Sequence, residues 1–560
     1  MGYTISDELL DRIIYDFDRN NANMSFNAGS VEQGIFEALS KKIALKELGN
    51  DLPEVVQLYK DGYVHLNDLS SFFTRPSNCF NLNPKYILDH GFVANGDRNV
   101  HNVSKPPKYL NSALNQIMEA CINISSEQSG GIGVAYFNWY IAPLWKLTDE
   151  KEKRQSIQNF IYRFNQLLRA GNQPMFSSLN LCLVCPSFLE DEYGEYQVEA
   201  DEIIRYICNL CIEGDARGNM FRFPNLVFNI TDAELENYME IFELTNKFGS
   251  PYFCRNQEGD ESFQAMGCRS ALPSNYTHDP SIDCQNVGNA VYSTVNLPMI
   301  ALEYPEWKDF KQELKNIMCI LYKYTHLRRN KIQQRINDNF MPFLTQPGLY
   351  ELDNMTLVIG ILGLDETIQH LNGTTHIQVL EYCNNIIKSY KEKDGLRWGL
   401  FSPPSENAAH RLALKCVEKH GFRNSKANGT YDAPYYTNGV NLNVNNKDLL
   451  KQLKEETNHS DYVKAGNINN FLMGDSYSMP EALLNLTNKI RENTQSFFWS
   501  YTFGYSICRE CDTLLKGSIE HCPLCDGETD IYSRVTGYMT NTKTWNKGKQ
   551  EEQKDREYYA

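Results

Sequence analysis

The sequence predicts an α/β protein with a largely parallel sheet and a small metal-organised unit at its C-terminus. Short apolar segments recur at residues 178–184, 224–230, 290–297 and 356–362, and stretches of helical periodicity such as 148–170 and 305–335 lie between them. Strands separated by helices pair mostly in parallel, because the chain must cross back before it can add the next strand. The C-terminal unit is predicted by Cys508-Arg509-Glu510-Cys511 and Cys522-Pro523-Leu524-Cys525, two CxxC pairs separated by ten residues.

Taken in order, residues 7–18, 31–48 and 53–60 carry apolar positions at three- and four-residue spacing, which makes residues 1–60 an N-terminal helical region. The body occupies residues 61–495. Its helix over 148–170 opens on Thr148, a capping residue type, and its helix over 305–335 has Pro305 near the first turn. The asparagine-rich stretch 438–446 reads as a loop. Composition changes near Thr494, where Ser496-Phe497-Phe498-Trp499-Ser500-Tyr501 leads into the cysteines. The boundary is placed there, with residues 496–530 as a ribbon and 531–560 as a loop and tail. The charged stretch 543–560 is compatible with a solvated tail.

At 560 residues the chain exceeds one small core and suits a large catalytic body with appendages. Hydrophobic residues make up 42%, charged residues 22% and aromatic residues 12%, a folded, soluble composition. No apolar run approaches the roughly 18 residues of a membrane span, and the start lacks a basic region followed by an apolar one. The expectation is a cytoplasmic protein with no membrane contact. Lys plus Arg number 54 against 70 Asp plus Glu, a formal charge of −16, which argues against direct binding of polymeric nucleic acid. A small anion remains compatible, held by local donors such as helix N-termini.

Sixteen cysteines without a secretory signal predict reduced thiols. Cys182 with Cys185 and Cys208 with Cys211 have metal-like spacing, but they sit in apolar or helical surroundings and read as core residues. The four cysteines Cys508, Cys511, Cys522 and Cys525 differ. Two tight knuckles bring four thiolates around zinc, and a closed four-sulfur site is structural. His521 is a bystander, since four sulfurs complete the shell. So short a segment has little core, so the metal supplies much of its folding free energy and pins the start of the loop beyond it.

That loop carries Gly537, in Arg534-Val535-Thr536-Gly537-Tyr538, twelve residues beyond Cys525 and eight before Trp545-Asn546-Lys547-Gly548-Lys549. A glycine α-carbon can lose a hydrogen atom and flatten without a side-chain clash, and the flanking amide and carbonyl delocalise the unpaired electron. The ordinary alternative is a turn glycine tolerating positive φ. The surrounding residues favour the radical reading.

These pieces, with Met266-Gly267-Cys268-Arg269, Cys79 within 75–80, Asn289, Asn296-Leu297-Pro298, Gly360-Ile361-Leu362-Gly363-Leu364 and Pro404-Ser405-Glu406, resemble the anaerobic, glycyl-radical (class III) ribonucleoside-triphosphate reductases from about residue 60 to the C-terminus. The resemblance implies a ten-stranded α/β barrel of two five-stranded halves, a central finger loop carrying Cys268, and a C-terminal zinc ribbon and glycyl-radical loop. It implies a resting radical on Gly537 that abstracts hydrogen from Cys268, and a thiyl radical that removes the ribose 3′ hydrogen. Short-range hydrogen transfer requires both partners to be held near contact in a shielded barrel. Cys79 would act from the opposite face as the 2′ hydroxyl leaves as water, Asn289 would orient the 2′ and 3′ hydroxyls, and Met266 would line the same pocket. Taken singly, Cys79 and Cys268 would read as buried core thiols. The resemblance also implies formate, oxidised to carbon dioxide, as reductant, although Cys284 between Cys268 and Asn289 complicates that assignment.

The chain lacks a GxxxxGK[ST] loop, and the glycines at 130–133 and 360–363 are weak nucleotide signals. Ser405, Glu406 and Asn407 precede a helical pattern over 408–419 and could present donors to phosphate. A serine cap with a first-turn carboxylate is the plain alternative. The resemblance favours phosphate. It further implies a homodimer, a deoxynucleotide effector that selects among substrates, and a separate radical-SAM activating enzyme with a 4Fe-4S cluster, since the chain has no CxxxCxxC motif. Activation requires the C-terminal loop to leave the barrel temporarily. Cys79 comes too early for the further N-terminal domain that senses ATP and dATP, so on/off control by dATP is not expected. Two other readings compete: a carbon–carbon lyase or dehydratase of the glycyl-radical class, disfavoured by the absence of a Cys-Cys pair, and a non-enzymatic scaffold, which leaves Cys79, Cys268 and Asn289 unexplained.

Overall fold

The computed structural model describes residues 6, 27–92, 103–169, 171–266, 269–441, 449–474 and 479–558. The predicted helix over 7–18, Cys268 and most of the 438–446 loop lie outside the described residues. The first described helix, Ala28–Asp51, opens on a capping box in which Asn27 and Ser30 each bond the other's backbone N–H. Pro53–Asp61 comes next, with proline in its first turn, and ends where Gly62 adopts φ 86°.

The body is an eleven-stranded sheet whose path runs through ten strands in two sets of five, with the short strand Val64–Leu66 paired off that path. The first set is β1 (Cys79–Leu82), β2 (Ile132–Val134), β3 (Ser177–Cys182), β4 (Asn225–Asn229) and β5 (Tyr252–Cys254), all parallel neighbours in that order. A hairpin of β6 (Phe263–Met266) and β7 (Ser270–Pro273) comes next. The second set is β8 (Val287–Asn296), β9 (Thr356–Leu362), β10 (Trp398–Phe401), β11 (Asn469–Leu472) and β12 (Phe498–Thr502). β8, β9 and β10 are parallel to one another, as are β11 and β12. The sets meet antiparallel at β1–β8 and at β5–β12. At the far ends, β10 reaches the segment before β11 through Ala465 N–H to Leu400 O, 3.2 Å, and Ser402 N–H to Gly466 O, 2.9 Å. The ten-stranded, two-halved barrel expected from resemblance is therefore the architecture observed.

Burial explains why these segments are strands. Every residue of β3, β4 and β12 is buried, as for strands covered on both faces, so they read as continuous apolar or small-residue runs without alternation. The β6–β7 hairpin lies against strands of both sets. It is the finger.

Three sequence expectations shift. The helix Glu150–Phe164 is capped by Asp149, whose side chain accepts from Glu152 N–H, because the Thr148 hydroxyl is turned back to Leu144 O. The helix Trp307–Asn337 has Glu306 at its cap position, which leaves Pro305 just outside the first turn. The composition change near Thr494 does not end the body sheet: the aromatic strand β12 pairs with β5 and β11, and a new sheet starts only at Tyr505. Aromatic residues buried on both faces belong to a central strand, and that outweighs the compositional signal.

The new sheet comprises β13 (Tyr505–Cys508), β14 (Leu514–Lys516), β15 (Thr529–Arg534) and β16 (Met539–Asn541), in the order β14-β13-β15-β16. A last helix, Lys547–Asp555, is not a free tail. Its Glu552 is buried between Lys549 and Arg556, and Arg556 donates to the carbonyl of Arg534, 2.9 Å. Burial works to raise the Glu552 carboxyl, but the two cations hold it below its ordinary range.

Candidate active site

Cys79 opens β1 and stands directly opposite Asn289 on β8. Its sulfur accepts a hydrogen bond from Gly131 N–H, 3.2 Å. A β-carbon on Gly130 would come within 2.3 Å of that sulfur, so the glycines at 130–131 let the backbone close over the thiol; this is the physical use of a motif that reads only as a weak nucleotide signal. Asn289 is buried, its amide donating to Ser270 Oγ at 2.6 Å and its carbonyl oxygen accepting from Thr356 Oγ1. Ser270 and Thr356 fix the amide orientation, and no motif marks them.

Met266 closes β6 opposite Ser270 on β7. It is buried with Leu272 and Val287, and the half-buried Cys79 packs against this group. Cys268 falls between Met266 and Ser270 in the sequence. The described residues flanking Cys268 meet the Cys79–Asn289 pair: Met266 belongs to the buried group against which Cys79 packs, and Ser270 Oγ accepts from the Asn289 amide. The next residue, Arg269, is buried and donates to Asn441 Oδ1, 3.0 Å.

Gly537 lies in the loop between β15 and β16, where Val535 N–H bonds Tyr538 O at 3.1 Å. It is buried and is not among the glycines with positive φ, so backbone conformation does not account for the residue type. Its carbonyl accepts from the Tyr252 hydroxyl and from Asn225 Nδ2, the latter at 3.3 Å. Arg534 anchors the loop: it donates to Thr502 Oγ1, 3.1 Å, and to Gly249 O, and lies over the Tyr252 ring at 4.3 Å. A narrow cavity of about 70 Å³ is lined by Arg269 from the finger and by Val535 and Thr536 from this loop, so the neighbours of Cys268 and of Gly537 share one space.

The 402–407 segment leaves β10 at the same end of the barrel. Tyr538 donates to Glu406 Oε2, 3.3 Å, and Asn546 donates to the Glu406 carbonyl, 2.7 Å. Asn407 occupies the cap position of the helix Ala408–His420 without a side-chain cap bond. Ser405 does not serve as the cap either: its φ is 33° and its buried hydroxyl has no protein partner. The plain alternative of a serine cap is thus not what forms.

In the ribbon, Cys508, Cys511, Cys522 and Cys525 place one sulfur each within 4.8 Å of all the others. Glu510 and Cys511 N–H groups point at Cys508 Sγ, 3.4 and 3.5 Å, and Asp526 N–H bonds Cys522 O in the second knuckle, 2.8 Å. Four convergent thiols with backbone donors fit tetrahedral zinc. His521 is not part of this cluster. Of the other metal-like pairs, Cys182, Cys208 and Cys211 are core thiols as expected, whereas Cys185, just past the strand end, is only half-buried. Cys208 and Cys211 are buried on the helix Gln197–Glu213 and Cys182 closes β3; burial pushes Cys182 and Cys211 up to about 12. Cys284 is buried too, with its thiol raised, and donates to Leu272 O at 3.3 Å.

A sequence model of the family described as anaerobic ribonucleoside-triphosphate reductase matches residues 20–559. The chain belongs to that family. The anaerobic ribonucleoside-triphosphate reductase of Salmonella typhimurium is 24% identical over 90% of this chain and 78% of its own. Among solved structures, an anaerobic ribonucleotide reductase superposes with a TM-score of 0.77 at 18% identity, covering 99% of this chain and 93% of that one. The Thermotoga maritima anaerobic ribonucleotide reductase, solved in complex with dATP and CTP, gives 0.75 at 17% identity, covering 97% and 94%. These likenesses carry the fold, and the family carries an oxidoreductase that acts on ribonucleotides. Among the described residues no helix is long and apolar enough to cross a membrane.

Proposed function

We propose that this reductase converts ribonucleoside triphosphates to 2′-deoxyribonucleoside triphosphates through a radical stored on Gly537 and passed to Cys268, with formate as the source of electrons. The observation that carries this reading is the meeting of Cys79, Asn289 and the residues flanking Cys268, Met266 and Ser270, inside the barrel, with the Gly537 loop fastened at the same end. Gly537, as a carbon radical, takes hydrogen from the Cys268 thiol. The resulting thiyl removes the ribose 3′ hydrogen. Cys79 then protonates the departing 2′ hydroxyl, which leaves as water, and Asn289 holds the hydroxyls by hydrogen bonds. Over the cycle one formic acid becomes carbon dioxide as one nucleotide hydroxyl becomes hydrogen, with one water released.

Ser405, Glu406 and Asn407 receive the triphosphate, the unpaired Ser405 hydroxyl and the helix amides acting as donors. Zinc bound by Cys508, Cys511, Cys522 and Cys525 holds the ribbon, which carries β15 and so the base of the radical loop. A cytoplasmic radical-SAM enzyme with a 4Fe-4S cluster installs the radical. The working form is a homodimer in which a deoxynucleotide effector selects the base, as the dATP and CTP in the Thermotoga maritima complex suggest.

The test is anaerobic incubation with a compatible activase, S-adenosylmethionine and reductant, followed by electron paramagnetic resonance and product analysis with labelled formate. The expected result is a glycyl doublet in wild type, none in Gly537→Ala, chain cleavage at Gly537 on exposure to air, and labelled carbon dioxide in step with deoxynucleotide. Turnover that ignores formate but runs on a dithiol protein overturns the reductant.

A further inference from the structure

We infer that Tyr252 and Asn225 form a hydrogen-bond cradle that draws unpaired spin from the Gly537 α-carbon onto its carbonyl and so sets the stability of the stored radical. The inference rests on the reading of Gly537 as the radical site and adds two positioning residues to it. An α-carbon radical between an amide nitrogen and a carbonyl is stabilised because the nitrogen lone pair donates and the carbonyl accepts. Hydrogen bonds to the carbonyl oxygen strengthen the accepting half, and here that oxygen receives two, from the Tyr252 hydroxyl and from Asn225 Nδ2.

Neither donor is there by accident of a flexible surface. Asn225 is the first residue of β4, paired with Ser178, and Tyr252 is the first residue of β5, paired with Val227, so adjacent ladders fix their spacing. Tyr252 is fully buried, stacked on Phe498 at 5.6 Å and covered by Arg534, the last residue of β15 at the base of the radical loop. Arg534 therefore holds its own loop over the residue that serves Gly537. In a site shielded from water each bond is electrostatically stronger than it would be in solvent. The same two bonds must break when the loop leaves the barrel for activation, which couples radical stability to loop closure.

The measurement is made on the full zinc-containing chain, activated anaerobically in H₂O and in D₂O. Electron–nuclear double resonance of the wild-type radical should show exchangeable couplings from the Tyr252 and Asn225 protons. Tyr252→Phe keeps the ring, its stack and the Arg534 contact, and should lose one of the two couplings, widen the α-proton doublet and lower radical yield by about two- to tenfold, the weight of one hydrogen bond. Asn225→Ala should do the same through the second donor and serves where Tyr252→Phe folds poorly. A wild-type radical without exchangeable couplings, or variants with an unchanged doublet, overturns the cradle while leaving the radical in place. A wild type that gives no glycyl doublet overturns the radical reading and the cradle together.

Discussion

Cys79 and Asn289 are cross-strand partners on β1 and β8, the ladder along which the two five-stranded sets run antiparallel. That pairing puts a thiol and an amide on neighbouring strands under one finger, although about 210 residues separate them in the chain. Cys79→Ser should abolish deoxynucleotide formation while the glycyl doublet keeps its wild-type amplitude, because the thiol is assigned to the ribose chemistry and not to storing the radical. Asn289→Ala should slow turnover by about 10²- to 10³-fold, the usual effect of removing one oriented donor. Product assays alongside spin counting separate the two steps. A parallel loss of spin in Cys79→Ser counts against its assignment to the ribose chemistry.

The ribbon is tied to the radical loop through β15, which pairs with β13 at the cysteine end and runs into Arg534 and Gly537 at the other. Cys511→Ser should release the metal, measured by elemental analysis, open the 505–530 region to limited proteolysis and reduce radical yield. Four sulfurs are the ribbon's main cohesive element, so a partial shell is not expected to hold it. Protein with no zinc but full radical yield rejects the pinning role.

What the sequence disclosed depended on how local the signal was. The CxxC pairs and the strand at Thr356–Leu362 are each written within a few residues, and the structure has them where the sequence puts them. Ser270, Thr356, Asn225 and Tyr252 are silent because their importance comes from register across distant strands, and a serine or tyrosine in a strand carries no mark of its partner. The aromatic run before the cysteines mimics a boundary for a similar reason: its burial is supplied by β5 and β11, which lie elsewhere in the chain. The glycines at 130–131 resemble a phosphate loop in the sequence, and only the fold brings Cys79 against them.

Ser405 offers a test of the phosphate site. Its hydroxyl is buried, without a protein partner, on a residue held at φ 33°, beside the Glu406 that bonds the radical loop. A buried hydroxyl without a protein partner can serve a ligand or a bound water. Ser405→Ala should raise KM for the nucleotide by about tenfold or more, the range for a hydrogen bond to a charged group, with the glycyl doublet intact. An unchanged KM assigns the triphosphate elsewhere.

Glu366 predicts how stability responds to pH. Its carboxylate is completely buried; Oε1 accepts from Thr437 N–H, 2.9 Å, Thr437 Oγ1, 2.7 Å, and Asn428 Nδ2, 2.6 Å, while Oε2 has no partner. Burial outweighs these bonds and pushes the group up to about 7, from an ordinary 4.5, with Asp365 nearby acting in the same direction. Between those values the folded protein keeps a proton that the unfolded chain has released, so stability is fully present below about pH 4.5 and is lost as pH rises through 7. At roughly 1.4 kcal/mol per pH unit the loss is on the order of 3 kcal/mol by pH 8. Glu366→Gln keeps an oxygen for the three donors and carries no charge. Its urea midpoint should therefore change less than that of wild type between pH 5 and 8 and exceed it at pH 8. Glu127, raised to about 7 by burial despite the Phe343 and Leu344 amides that favour its charged form, supplies a slope common to both proteins. Parallel curves for the two proteins would assign the effect to Glu127 and other buried carboxyls such as Asp260, raised to about 6, and mean that Glu366 releases its proton at the same pH folded as unfolded.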